Sequence, residues 1–339
     1  MIGAVTEKKI GKRGNKMKNI WLDGIMGVVV GDALGVPVEF SYREELAADP
    51  VTAMRGYGTY GLPQGTWSDD SSMTLATLDS LRSGYKPDDM VIKFAKWLKD
   101  AEYTPYGKVF DAGITCTNAI NRYLLYRDIT RCGGYEENDN GNGSLMRIMP
   151  MCLYVYEKQK REAITDEEAI RLIHEVSALT HGHLRSKIAC GLYFFMTRSI
   201  LEEEGTLIER MQHGLAQGFC YYEQSPECTE ELKHYRRIRD LEELKGIPED
   251  EIMSSGYVVS SLEAALWCLV RTSSYEEATL MAVNLGHDTD TVAAIAGGLA
   301  GVYYGYEGIP AEWLEVVARR DWVEGMCLSF AIRVNNILV

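Results

Sequence analysis

The sequence predicts a single compact all-α domain, and three observations support this prediction. Apolar residues recur at helical spacing along most of the 339 residues, whereas the apolar-polar alternation typical of strands is scarce. A composition that is 46% hydrophobic is enough to bury a large core. No repeat of fixed period and no Pro/Gly/Ser-rich linker divides the chain. We therefore interpret residues 19–339 as one domain, preceded by a basic leader over residues 1–18 that we expect to be loose.

The first helix is predicted directly after the basic leader. Apolar residues fill one helical face, and the pattern ends at Gly35-Val36-Pro37, a sequence typical of a helix end. Asp23 and Asp32 interrupt the apolar run, which argues against both a signal peptide and a membrane span. We therefore predict a buried helix and no membrane partner. Its apolar face consists of Leu22, Ile25, Met26, Val29 and Ala33.

The remaining helices are predicted from the same periodicity. Thr165 and Glu168 form a capping box that opens one of them. The helix at about 291–304 is rich in Gly and Ala, so neighbouring helices can approach it closely and we place it at the centre. Residues 221–253 are highly charged and are interpreted as a solvated, lid-like excursion. The predicted helical stretches are 75–84, 90–99, 165–176, 184–200, 262–269 and 291–304.

Charge and cysteine content narrow the class of protein. A formal net charge of −14 argues against a sequence-independent nucleic-acid partner, because such binding depends on many Lys and Arg contacts with phosphates. An anionic substrate would require a local cation, for which bound metal is the economical candidate. The eight cysteines contain no C-x-x-C pair and lie in apolar stretches, which indicates reduced core residues and favours a cytoplasmic location.

Two adjacent carboxylates open the helix that begins in the stretch GTWSDDSSM at 65–73. Ser68 is a good N-cap, and the helix dipole favours acidic residues in the first turn, so helix capping alone could account for Asp69 and Asp70. Alternatively, a hard divalent cation would take their oxygens and relieve the repulsion between them. The metal interpretation requires a second acidic cluster elsewhere in the chain.

The stretch NLGHDTDT at 284–291 supplies that second cluster. Asp288 and Asp290 flank a threonine just before the small-residue helix, and Thr291 adds a hydroxyl. One Asp or Thr is enough to cap a helix, so capping does not explain the whole cluster. Two such clusters favour a metal site, and their number of ligands matches two ions better than one.

Single carboxylates in apolar or Gly-rich surroundings are further candidates. Asp32 lies near the end of the first helix, where it is either a hydrogen-bonded core aspartate or part of the site; we predict that it contacts the substrate. Glu39 lies just past Pro37. Asp111 precedes a glycine in otherwise uncharged surroundings, as either a cap or a site residue.

Two further stretches could bind a polar ligand. The Gly-rich stretch NDNGNGSLMRIMP at 138–150 could cradle a phosphate with its backbone N–H groups. His181 and His183 in THGH have the H-x-H spacing of a zinc pair, but no third His or Cys lies nearby in the sequence. Polar contacts between these histidines and a substrate are therefore the favoured interpretation.

Taken together, the motifs resemble those of the ADP-ribosylglycohydrolase family. GDALGVPVEF, SDDSS, FDAGITCT, NGNGSLMR, THGH and NLGHDTDTVAAIAGGLAG occur in the family's order, and the resemblance spans roughly residues 20–308. It implies an all-α, orthogonal multi-helix bundle with a central cleft that binds ADP-ribose. It also implies a binuclear centre of two Mg²⁺ or Mn²⁺ ions in that cleft.

The resemblance also assigns roles to individual residues. It implies that Glu39 lies beside the ribose and the metals and that Asp111 lies near the scissile linkage, so these two join Asp69 and Asp70 as candidate catalytic groups. Gly143 and Ser144 would face the diphosphate, with His181 near the ribose or phosphates and His183 as a further substrate contact. Two departures are Ser68, where the family often has Thr, and His287, where a small residue is common. The implied metal ligands are Ser68, Asp69, Asp70, Asp288, Asp290 and Thr291.

The function predicted from this resemblance is metal-dependent hydrolysis of the bond between ADP-ribose and an acceptor. The substrate would be an ADP-ribosylated protein side chain or a small ADP-ribose derivative, and the sequence leaves the acceptor linkage open. One alternative is an all-α metal phosphohydrolase of the HD type, suggested by His287-Asp288 and the THGH pair. Another is a non-catalytic ADP-ribose-binding or structural protein.

Overall fold

Sixteen α-helices and six short 3₁₀ helices form residues 19–337, the part of the chain that the computed structural model describes; side chains are described through residue 332. No β-strand occurs in this part, which confirms the all-α prediction. The predicted leader, residues 1–18, lies outside the described residues. The α-helices are α1 Ile20–Gly35, α2 Arg43–Ala48, α3 Asp69–Leu81, α4 Pro87–Asp100, α5 Ile114–Tyr126, α6 Met149–Glu162, α7 Asp166–Ala178, α8 Leu184–Glu202, α9 Leu207–Tyr222, α10 Pro226–Leu232, α11 Leu241–Lys245, α12 Val258–Arg271, α13 Tyr275–Asn284, α14 Thr289–Tyr304, α15 Ala311–Val316 and α16 Arg320–Ile337.

The centre of the fold is the pair formed by α1 and α14. Nearly every residue of both helices is buried, as the small-residue pattern predicted for α14. Their backbones touch at Gly27, where an added Cβ would lie 2.2 Å from the carbonyl oxygen of Gly297. The hydroxyl of Tyr275 in α13 donates a hydrogen bond of 2.7 Å to the Gly27 carbonyl. Glycine is therefore required at Gly27 by the approach of a neighbouring backbone.

One described helix is long and apolar enough to cross a membrane. The stretch Ile20–Val38, which includes α1, has a mean hydropathy of 1.4, more apolar than the sequence analysis anticipated. In the structure 89% of it is buried among the other helices. A core helix of a globular protein passes the same length and composition test.

The charged segment 221–253 differs from the solvated lid that we expected. It contains α10 and α11, and most of its apolar residues are buried against the rest of the domain, although Met253 is exposed. The hydroxyl of Tyr235 donates to the Arg185 carbonyl oxygen at 2.7 Å, and the Trp267 indole donates to the Ile247 carbonyl oxygen at 2.9 Å. A few apolar side chains are enough to anchor the segment, because they lie on the side that faces the rest of the domain. The buried set is Tyr222, Leu232, Tyr235, Ile238, Leu241, Leu244 and Ile252.

All eight cysteines are free thiols. Six are buried, which agrees with the prediction of core residues, whereas Cys220 is exposed and Cys228 is partly exposed. The thiols therefore contribute to packing and not to a covalent framework.

Replacing Gly27 with alanine is expected to destabilise the fold. The methyl group has no room beside Gly297, and overpacking of this kind costs about 1–3 kcal/mol, more than the gain in helix propensity. The matched control is Gly325→Ala in α16, where no heavy atom lies within 4 Å of the added Cβ. There we expect a gain of about 0.5–1 kcal/mol in the free energy of unfolding. Urea unfolding followed by circular dichroism measures both changes, and equal midpoints for Gly27→Ala and the parent would contradict the packing argument.

Candidate functional site

A cavity of about 1050 Å³ opens where α3 and α14 begin. Carboxylates from four different segments line it: Glu39, Asp69, Asp111 and Asp288. Glu44, Asp139 and Asp250 add further negative charge to its wall. The cavity is large enough for a nucleotide-sized ligand and strongly acidic.

Arg43 is the one Lys or Arg among the described residues that line this cavity. Its guanidinium donates to three backbone carbonyl oxygens: Leu285 at 2.9 Å, Ile252 at 2.7 Å, and Glu249. These bonds join α2 to the segment before α12 and to the end of α13. Arg43 therefore holds the wall together, with three of its five N–H donors bound to backbone carbonyl oxygens.

The two acidic clusters of the sequence meet beside the cavity. Asp70 in the first turn of α3 and Asp290 in the first turn of α14 are both buried. The hydroxyls of Thr291 and Ser68 each donate to Asp70 Oδ2 at 3.2 Å. Asp32 also offers an oxygen to this group, since Asp32, Asp70 and Asp290 have carboxylate oxygens within 4.8 Å of one another.

A second triad of carboxylates shares Asp290. Glu39, Asp111 and Asp290 each contribute an oxygen, and these oxygens also lie within 4.8 Å of one another. The structure thus brings together carboxylates that are separated by as many as 258 positions in the sequence, the distance from Asp32 to Asp290. Two adjoining triads form two neighbouring groups of oxygen ligands.

The carboxylates of this cluster have more acceptor atoms than the protein has donors. Asp70 Oδ1 and Asp290 Oδ2 are buried and have no hydrogen-bond partner. An unsatisfied buried carboxylate oxygen is costly, and a proton or a bound cation would relieve that cost. Oxygen ligands of this type suit hard divalent cations, so these residues fit a Mg²⁺ or Mn²⁺ centre.

The electrostatic conflict appears in the pKa values of the carboxylates. Burial, followed by the charge of Asp32, raises the pKa of Asp70, and burial followed by the charge of Glu39 raises the pKa of Asp290. Burial, reinforced by Asp111, raises the pKa of Glu39 to about 9, and burial raises the pKa of Asp288 to about 6. The cluster therefore favours bound protons or cations near neutral pH.

Asp32 holds the end of the helix that carries Asp69 and Asp70. Its carboxylate accepts from the backbone N–H of Ser68 at 2.9 Å and from the N–H and hydroxyl of Ser71. These bonds fix the N-terminus of α3 to the C-terminal end of α1. Asp32 is fully buried and does not line the cavity, which is not the placement expected of the substrate contact predicted from the sequence.

The glycine-rich stretch lines the cavity and contacts the THGH turn. Gly143 and His181 both line the cavity, and an added Cβ at Gly143 would lie 2.9 Å from His181 Cε1. His181 Nδ1 is 2.9 Å from the Thr180 hydroxyl. Burial lowers the pKa of His181 to about 3, so its ring is neutral and one nitrogen can donate a hydrogen bond.

Two predicted substrate contacts are placed elsewhere. Ser144, within the glycine-rich stretch, is fully buried, and its hydroxyl accepts from Ser177 at 3.0 Å. His183 is the N-cap of α8 and accepts from the Arg185 N–H at 3.2 Å. Neither side chain lines the cavity, so both support neighbouring structure.

Two residues of this site were not predicted from the sequence. The amide of Asn142 donates to Asp288 Oδ2 at 2.6 Å and to the Ser261 hydroxyl at 2.9 Å. The hydroxyl of Tyr60 donates to Glu39 Oε2 at 2.7 Å. Asn142 belongs to the Gly-rich stretch, for which only the backbone N–H groups were predicted to bind a ligand. Tyr60 lies in a turn whose sequence has neither a charged cluster nor an apolar periodicity that would mark a site.

Comparison with known proteins agrees with the resemblance of the motifs. A sequence model described as ADP-ribosylglycohydrolase matches residues 15–336. ADP-ribosylarginine hydrolase Tri1 of Pseudomonas putida strain GB-1 is 32% identical over 315 residues, which cover 92% of this chain and 78% of that protein. The ADP-ribosyl-dinitrogen reductase glycohydrolase of Rhodospirillum rubrum is 32% identical over 300 residues, with 86% and 88% covered.

A solved structure shares the fold. It is described as an ADP-ribosylglycohydrolase-related protein complex and superposes with a TM-score of 0.74 at 28% identity, covering 93% of this chain and 98% of the other. The chain belongs to the ADP-ribosylglycohydrolase family.

Proposed function

We propose that this ADP-ribosylglycohydrolase releases ADP-ribose from a modified arginine side chain. The observation that carries the proposal is the cavity in which Glu39 and Asp111 stand beside the buried Asp290. The relatives at 30–32% identity include two named ADP-ribosylarginine hydrolases. An acidic wall suits a cationic guanidinium better than an anionic or neutral acceptor.

We place two divalent cations at the carboxylates. The oxygens that would hold them come from the two triads around Asp290, with Asp69 and Asp288 on the cavity side and the hydroxyls of Ser68 and Thr291 close to Asp70. When bound, divalent cations supply positive charge against the carboxylates and acidify water. The unpartnered oxygens of Asp70 and Asp290 support this placement.

The reacting end of the substrate would face Glu39 and Asp111. Cleavage of the ribosyl bond proceeds through an oxocarbenium-like transition state, which requires a carboxylate to accept a proton from water and an acid to assist the leaving group. One carboxylate of the Glu39–Asp111 pair would accept the proton that the attacking water gives up, and the other would pass a proton to the departing guanidine. Without a cation beside it Glu39 binds a proton readily, because burial and the charge of Asp111 raise its pKa to about 9.

The diphosphate would face the glycine-rich stretch. Gly143 leaves its backbone open to the cavity, because its missing side chain makes room beside His181. A neutral His181 contributes a hydrogen-bond donor without the desolvation cost of a charge. Backbone N–H groups and neutral donors can hold phosphates in this way.

This geometry does not support the HD-type phosphohydrolase alternative, which needs histidines that converge on a metal. Neither carboxylate triad includes a histidine of the described residues. His287 is exposed, and its backbone adopts φ 60°, tied by hydrogen bonds to Ser41 and Phe40. Its ring lines the cavity beside the ring of Tyr42, with 5.8 Å between the two ring centroids.

Release of free ADP-ribose is the direct test of the proposed reaction. Mass spectrometry should detect ADP-ribose from an arginine-modified protein in Mg²⁺ or Mn²⁺ and none in chelator. Asp288→Asn should lower the rate by about 100-fold or more, because it removes a charged group from the site. The matched control is Asp49→Asn, a surface carboxylate paired with Arg55, which should keep the parent rate. Release from a serine-modified protein alone would overturn the arginine proposal, and ADP-ribose binding without any release would favour a non-catalytic role.

Replacing Asp290 with asparagine should stabilise the metal-free protein, and the gain should be larger at high pH than at low pH. The pKa of Asp290 is raised in the folded state, so above about pH 4 the unfolded chain has released a proton that the folded chain still binds, and stability falls with increasing pH. Asn has no such proton to lose. In chelator at pH 8 we expect Asp290→Asn to gain about 0.5–2 kcal/mol in free energy of unfolding, and less at pH 5.

Thermal unfolding at the two pH values measures this difference. Adding Mn²⁺ should then raise the midpoint of the parent more than that of Asp290→Asn, because the variant lacks the carboxylate shared by both triads. Equal stabilisation of both proteins by Mn²⁺ would show that cations bind elsewhere.

A further inference from the structure

We infer that Tyr60 is a positioning residue of this site, whose hydroxyl holds the Glu39 carboxylate in place beside Asp111. Tyr60 Oη donates to Glu39 Oε2 at 2.7 Å. Its ring packs on Phe110 with 4.9 Å between centroids, and Phe110 directly precedes Asp111. One side chain thus contacts both segments that carry the second carboxylate triad. The inference rests on the proposed function for the reaction that Glu39 would serve.

The turn that carries Tyr60 is fastened to the segment that carries Glu39. Thr59 donates from its backbone N–H to the Pro37 carbonyl oxygen at 2.9 Å and from its hydroxyl to the Glu39 carbonyl oxygen at 2.7 Å. An added Cβ at Gly58 would lie 1.6 Å from the Pro37 oxygen, so only glycine allows this contact. These contacts couple the position of the turn that carries Tyr60 to the position of Glu39.

Left-handed backbone occurs in both segments that Tyr60 contacts, at Asp111 itself and at the residue after Glu39. Asp111 has φ 51°, and Phe40, next to Glu39, has φ 66°. The left-handed region costs roughly 1 kcal/mol for a residue with a side chain, so contacts elsewhere must hold each segment. The Phe40 N–H is held by the His287 carbonyl oxygen at 2.7 Å. On the carboxylate side, the Tyr60 bond to Glu39 supplies the corresponding restraint.

Repulsion within the triad is what this restraint opposes. Oxygens of Glu39, Asp111 and Asp290 lie within 4.8 Å of one another, and a carboxylate free to rotate would move away from its neighbours. The hydroxyl of Tyr60 gives its single hydrogen to Glu39 and so offers a fixed partner for that carboxylate. Hydrogen bonds of this kind to ligand carboxylates orient them for the ligand they hold.

The test compares two Tyr→Phe variants of the same loop. Tyr60→Phe keeps the ring contact with Phe110 and loses only the hydrogen bond to Glu39, whereas the matched control Tyr57→Phe changes a side chain that is 74% exposed. Calorimetric titration with Mn²⁺ alone should show about tenfold weaker binding to Tyr60→Phe and parent affinity for Tyr57→Phe. On an arginine-modified substrate, Tyr60→Phe should lower kcat by about 10- to 100-fold with KM within about threefold.

The outcomes separate positioning from stability and from the proposed function. Parent Mn²⁺ affinity in Tyr60→Phe, or an equal loss in Tyr57→Phe, would overturn the inference. A loss of Mn²⁺ affinity accompanied by a collapsed thermal transition in chelator would assign Tyr60 to folding and would also overturn it. If the parent protein releases no ADP-ribose, the proposed function fails, while the Mn²⁺ titrations still decide the role of Tyr60.

Discussion

The backbone contact between α1 and α14 is the constraint on which the site depends. Because side chains are absent at the contact, the two helices approach closely enough that a Cβ at Gly35 would lie 2.4 Å from the Asp290 Cα. The Thr289 hydroxyl donates to the Gly35 carbonyl oxygen at 2.8 Å and fixes the two helix ends together. The C-terminal end of α1 thereby meets the N-terminus of α14, and Asp32 on α1 draws in the N-terminus of α3.

This packing imposes an electrostatic cost that the helices cannot offset by themselves. Helix dipoles at the starts of α3 and α14 favour nearby carboxylates by about 0.3–1 kcal/mol each. Taking a carboxylate out of water costs several kcal/mol, and Asp70 and Asp290 are both buried with an unpartnered oxygen. The dipoles are therefore too weak by several-fold, and helix capping does not explain the paired aspartates. A fold that keeps this arrangement needs bound protons or an external positive charge, and the proposed cations would supply the charge.

The sequence predicted the parts of this arrangement that depend on local chemistry. Periodicity was sufficient for α1 and α14, whose apolar and small residues repeat along a single helix, and Ser68 is indeed an N-cap. Long-range placement was not predictable in the same way. Whether Asp32 faces a substrate or a helix N-terminus depends on which backbone N–H groups the fold brings to it. The same limit applies to His183, since H-x-H spacing does not reveal that the side chain caps a helix.

The segment 221–253 shows a second limit of sequence reasoning. Its composition is that of a solvated loop, yet seven buried apolar side chains spaced along it are enough to anchor it to the domain. Average composition measures how much of a segment faces water, while anchoring depends on whether its few apolar residues face the same way. Tyr60 escaped notice for a related reason: a neutral phenol in a turn gains meaning only from the carboxylate 21 positions away that it contacts.

The described part of the cavity wall contains one Lys or Arg side chain, and this side chain has a structural role. Arg43 donates to the carbonyl oxygens of Glu249, Ile252 and Leu285 and so holds the wall together. The carboxylates, in contrast, line the cavity from several segments. Under the proposed function, the diphosphate of ADP-ribose would enter a site whose own charge repels it, on a chain of net charge −14. The cations that relieve the repulsion among the carboxylates then also make the site attractive to an anion, so the same ions account for both the buried acids and the substrate.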